Sequence, residues 1–120
     1  GDEYQALVLL WLAGGADSFN LIVPRADCVD GADLYGHYQE VRDIVALSES
    51  ELIDVAVPEG TQVCDQFGIH GSLATVAELY QDGHASFLAN VGALVEPLDA
   101  VQYEDKVKKT PPSLFAHNSQ

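Results

Sequence analysis

The stretch Ala6-Leu7-Val8-Leu9-Leu10-Trp11-Leu12, closed by Gly14-Gly15 after Ala13, decides how the chain reads. A strand with one face in water alternates apolar and polar side chains, whereas one covered on both faces runs apolar throughout. The second pattern holds from Tyr4 to Leu12, so the run predicts a buried central strand of a parallel sheet. Gly14-Gly15 then ends it, because glycine tolerates the positive φ of a sharp turn.

Outward from this run the expected elements alternate. Leu34, Tyr38, Val41 and Val45 recur at helical spacing behind Asp33, whose carboxylate can accept from the first free amides. Leu52 to Val57 alternates in part and stops at Pro58, a short strand. Ser72 is the expected N-cap of a helix with Leu73, Val76, Ala77 and Tyr80 on one stripe, and Gly83 stands where a left-handed cap would end it. The apolar Ala85 to Val91 follows as a second buried strand. Asp99 and Gln102 have the spacing of a capping box for a short helix, with Lys106, Lys108 and Lys109 near its end and Thr110-Pro111-Pro112 beyond. Strand, helix and strand in this order predict an α/β fold, a mostly parallel sheet flanked by helices.

At 120 residues the chain suffices for one modest domain. Nineteen acidic residues against five Lys or Arg give a formal net charge of −14, which repels nucleic acid and anionic lipid heads. The same charge suits cation binding or simply a well-solvated surface. No apolar run approaches the roughly 20 residues that cross a bilayer, so no membrane insertion is expected. The chain opens at Gly1 directly ahead of the strand-like run, as expected if a leader had been removed.

Cys28 and Cys64 are the only cysteines, and they lack the close spacing of a metal-ligand pair. A disulfide is expected, closing a loop of about 37 residues and stabilising the fold by roughly 3 to 4 kcal/mol. It would place the protein outside the cytoplasm. Two independent buried thiols are the other reading.

The segment Gly14-Gly15-Ala16-Asp17-Ser18-Phe19-Asn20 carries the chemistry. Ligands of open α/β sheets gather beyond the carboxyl ends of the strands, and a carboxylate there can hold a divalent cation with hydroxyl and amide oxygens beside it. Asp17 is thus the candidate metal ligand, with Ser18 and Asn20 at the site's edge. An Asp in a Gly-rich turn also commonly caps the next element.

Three blocks, "LWLAGGADSFNLIVP", "GIHGSLATVAELYQDGHASFLANVGALVEP" and "PPSLFAHNSQ", follow one another in this order along nearly the whole chain. Together they resemble the start of the exported proteins called domain of unknown function family 1501, which is grouped with the alkaline-phosphatase and sulfatase superfamily. The resemblance implies that residues 1–120 are a single partial domain, the N-terminal portion of an alkaline-phosphatase-like fold within a longer protein. It implies twin-arginine export to the periplasm or the extracellular space, and hydrolysis of phosphate or sulfate esters assisted by calcium, zinc or magnesium. A divalent ion would offset phosphoryl charge and lower the pKa of a bound nucleophile.

By the resemblance Asp17 is the metal ligand, His70 and Asn118 border the site, and His117 is a catalytic candidate; Ser119 is a catalytic candidate only as a substitute, if the local backbone is shifted, for the Ser that is Ala116 here. The closing motif departs from the pattern Ser-His-Asn-Asp-Gln, with Ala116 and Ser119 in place of Ser and Asp. These departures favour a second reading, a non-catalytic secreted module for assembly, filament formation or glycan binding. On either reading the expected partners are the rest of the polypeptide or neighbouring subunits, in a homo-oligomer or filament. The chain alone is expected to hydrolyse nothing.

Overall fold

The computed structural model describes residues 6–10, 12, 15–92 and 94–112. They fall into two compact units, Gly15–Ser86 and Gly1–Gly14 with Phe87–Gln120.

Gly15–Ser86 is built on three strands, β1 (Ile22–Cys28), β2 (Leu52–Ala56) and β3 (Cys64–His70). Their order is β1-β3-β2, and both pairings are antiparallel. This overturns the expected parallel sheet. Parallel neighbours need a long crossover between them, but β2 returns to β3 through the short segment 57–63, and β1 enters on the other side of β3 in the opposite sense.

Neither run expected as a buried strand is one. The described residues of Ala6 to Leu12 and those of Ala85 to Val91 have no regular secondary structure. Leu7, Val8, Leu9 and Leu10 are 98%, 86%, 84% and 81% exposed, and Leu88 and Val91 are exposed as well. A continuous apolar run is buried only where layers of side chains close over both its faces, and the described residues provide no such layers here.

The strands that do form are less apolar. β1 contains Pro24, which cannot donate to a ladder but is tolerated on an edge strand. Its pairing with β3 runs Val23↔Gly68 and Pro24↔Phe67, then shifts at a bulge before Ala26↔Gln66, with Asp27 beyond it at φ 53°. Gly68 is required: a Cβ there would lie 2.9 Å from Leu52 Cβ and Cδ1.

The helices follow the sequence more closely. α1 (Leu34–Arg42) is capped by Asp33, whose Oδ1 accepts from Gly36 N at 2.8 Å. Tyr35 and Tyr38 are buried on it, while Val41 and Val45, expected on the apolar stripe, are exposed. α2 (Ala74–Gln81) buries Ala77 and ends at Gly83, φ 75°. Gly83 N donates to Tyr80 O and His84 N to Leu79 O, the paired bonds of a Schellman motif. A single 3-10 turn, Gly71–Leu73, precedes α2, and there His70 rather than Ser72 acts as the cap.

The core comprises Val23, Val55, Cys64, Ile69 and Ala77 with Tyr35, Tyr38 and Leu47. Cys28 and Cys64 are opposite each other in the β1–β3 register and are joined by a disulfide.

In the other unit the described regular element is α3 (Ala100–Glu104). Its capping box is formed as expected: Asp99 Oδ1 accepts from Gln102 N at 2.8 Å, and Gln102 Oε1 accepts from Asp99 N at 3.1 Å. Among the described residues no helix is long and apolar enough to cross a membrane.

Candidate functional site

Asp17 does not stand beyond the carboxyl end of a strand, as expected, but just before the 3-10 turn Ser18–Asn20 that leads into β1. The antiparallel pairing nonetheless brings several candidates to one end of the sheet. β3 finishes where β1 starts, and His70 N donates to Leu21 O at 3.1 Å. Asp17, Ser18, Asn20 and His70 therefore share this end.

Most of their polar atoms are already engaged. Asp17 Oδ2 pairs with the Arg42 guanidinium, which also lies 5.4 Å from the centre of the Phe19 ring. Arg42 Nε is buried without a partner. Asn20 uses both ends of its amide: Nδ2 donates to Val45 O at 2.8 Å, and Oδ1 accepts from Tyr38 Oη at 2.7 Å. The Tyr38 hydroxyl accepts in turn from Leu47 N at 2.8 Å, and Tyr35 Oη donates to Leu47 O at 2.9 Å. Asn20 is thus the knot that ties the start of β1 to α1 and to the segment before β2.

His70 Nδ1 accepts from Ser72 N at 3.0 Å, which fixes that nitrogen as the acceptor and leaves the proton on the other. Ser18 is exposed. His117, Asn118 and Ser119 lie outside the described residues.

No family model, curated protein or solved structure matches the chain. As arranged, the described candidates do not fit a divalent cation. Asp17 already has a cation beside it, the Asn20 amide oxygen already accepts from Tyr38, and among the described residues no three His, Cys, Asp or Glu come together as a metal cage.

Sequence reasoning missed Tyr38 and Arg42 as members of this end of the sheet. Tyr38 was legible only as an apolar helix position, although a buried tyrosine generally brings its hydroxyl to a partner. Arg42 gave no signal beyond its place in the last turn of a helix.

A second polar cluster is centred on Arg25. Arg25, largely buried, donates from Nε to Asp54 Oδ1 at 3.0 Å, pairs with Glu49 at 3.3 Å and lies 4.5 Å from the centre of the Tyr35 ring. Burial works against the charge of its guanidinium, but bonds to Glu49 and Asp54 outweigh it and hold the pKa above the ordinary value. Burial also pushes the Tyr35 hydroxyl pKa up, partly offset by the Arg25 cation. Both effects lock charges and protons in place, which suits a scaffold.

Proposed function

We propose that the chain is one part of an exported, hydrolase-like protein of the kind it resembles, in which it supplies scaffold and docking surface. The reacting groups come from residues outside those described or from further polypeptide. The observation that supports this reading most is the run Leu7 to Leu10, each side chain more than four-fifths exposed. Adjacent bare leucine and valine side chains mark a surface that another polypeptide covers. The complete protein hydrolyses phosphate or sulfate esters with a divalent ion. For Asp17 to serve that ion, its carboxylate must first leave Arg42.

The test is sedimentation of the isolated 120-residue chain together with turnover of p-nitrophenyl phosphate and sulfate in calcium, zinc or magnesium. The expected outcome is no turnover, with a hydrophobic dye bound in proportion to the apolar run. A folded monomer that turns over either ester would defeat the reading.

A specific observation favours the second reading, a non-catalytic secreted module for assembly, filament formation or glycan binding. Asp17 Oδ2 and both ends of the Asn20 amide, the best-placed candidate groups, are engaged by Arg42, Tyr38 and Val45. If Asp17→Ala leaves the metal affinity of the full-length protein unchanged, this second reading replaces the first.

A further inference from the structure

All three lysines of the chain, Lys106, Lys108 and Lys109, fall within four consecutive residues. Both arginines are in ion pairs, Arg25 with Glu49 and Asp54 and Arg42 with Asp17. Among the described residues no lysine is in an ion pair. In a chain with 19 acidic residues, three cations without a carboxylate partner among the described residues need an explanation.

Neutralising the end of α3 does not supply it. The last carbonyls of that helix are taken by main-chain donors: Asp105 N to Val101 O, Lys106 N to Tyr103 O and Val107 N to Gln102 O. Lys106 adopts φ 54° to close this cap. The segment is then held against residues 96 and 97, where Lys109 N donates to Glu96 Oε1 at 2.9 Å and Lys108 Nζ donates to Pro97 O. Lys106 and Lys109 are exposed, and Lys106 and Lys108 border an open cavity of about 350 Å³ with Tyr103, Glu104 and Thr110. The lysines are thus presented by a fixed backbone.

Opposite charge is concentrated elsewhere. Thirteen of the 19 acidic residues lie within Gly15–Ser86, against only Arg25 and Arg42. We propose that Lys106–Lys109 is a contact site for the acidic Gly15–Ser86 unit of a second copy of this chain. The contact is heterologous, a different patch on each copy. Charge complementarity selects this partner: the lysines meet the carboxylates that the two arginines leave unneutralised. Overall repulsion between two chains of charge −14 does not prevent it, because fields are screened beyond about 8 Å at physiological ionic strength while groups in contact are screened much less. The inference does not depend on the apolar run Leu7 to Leu10.

The whole chain is compared with Lys106→Glu/Lys109→Glu by sedimentation velocity at 0.15 M and 1 M salt, with far-ultraviolet circular dichroism as the check on folding. The wild type is expected to gain mass with concentration at 0.15 M and to lose at least about tenfold in association constant at 1 M and in the double variant, as for reversed contact charges. Zero-length crosslinking of mixed light and heavy-nitrogen chains should join Lys106 or Lys109 to a carboxylate between residues 15 and 86 of the other copy. Crosslinks confined to single chains, or association that survives charge reversal and is lost in Leu9→Ser, would overturn the proposal. So would wild-type binding to a DNA duplex or to phosphatidylserine vesicles that the double variant loses, since that assigns the lysines to a polyanion.

Discussion

The described remainder of the chain is richer in leucine, valine and isoleucine than Gly15–Ser86, yet every buried hydrophobic among the described residues lies in Gly15–Ser86. In Gly15–Ser86 each covered side chain has a reason to be covered. Val23 and Ile69 lie under α1 and its tyrosines or within the ladder, and Cys64 is bonded to Cys28. Leu7 to Leu10, Leu88, Val91, Leu94 and Val95 are exposed. The contrast teaches that apolar content is a demand for cover and not a supply of it. In Gly15–Ser86 polar bonds and a covalent link help to hold one layer over another.

The comparison can be broken at the disulfide first. Replacing Cys28 and Cys64 by Ser should lower the stability of Gly15–Ser86 by about 3 to 4 kcal/mol, read as a shift of the urea midpoint. A shift near zero would mean that the ladder stands without its link. Next comes Tyr38→Phe, which removes the partner of both Asn20 Oδ1 and Leu47 N. About 1 to 3 kcal/mol is expected for a buried donor left unmade, and a cost within the error of chemical denaturation would show that Asn20 is not the knot described.

A smaller effect is set by pH. Bonds from Ser48 N and Ser48 Oγ hold the Glu51 carboxyl below its ordinary pKa. A carboxyl whose folded pKa is depressed contributes stability that is present above its unfolded pKa, about 4.3, and lost as pH falls through the folded value. Glu51→Gln should therefore flatten the acid limb of the stability curve of Gly15–Ser86, and an unchanged limb would refute the assignment. The smallest effect belongs to the exposed run. Leu9→Ser should alter the stability of the monomer by no more than about 0.5 kcal/mol, and a loss of several times that would show that Leu9 is packed.

How legible these features were in the sequence depended on how local they are. The caps at Asp33, Asp99 and Gly83 each rest on a few neighbouring residues, and all three formed as expected. β1 and β3 were missed because Pro24, Arg25 and Asp27 interrupt one strand and Gly68 the other. Each is admissible for a nonlocal reason: Pro24 on an edge, Gly68 where Leu52 passes close. The parallel sheet was read from Ala6 to Leu12 and Ala85 to Val91, whose apolarity says what they require and not whether this chain provides it. The pairing of Cys28 with Cys64 was legible because two cysteines allow one bond. The engagement of Asn20 by Tyr38 and Val45 was not, since it joins positions 18 and 25 residues apart.

The β1–β3 ladder is closed at both ends, by the disulfide at one and by the Asn20 knot with the His70–Leu21 bond at the other. Paired strands normally open from their ends inward, as a zip does, and amide protons then exchange with solvent one rung at a time. With both ends pinned, that route is shut for Val23, Gly68 and their neighbours, whose amides should exchange only when the whole Gly15–Ser86 unit opens. β2, held to β3 along one side, has no such fastening and is the strand that should part first.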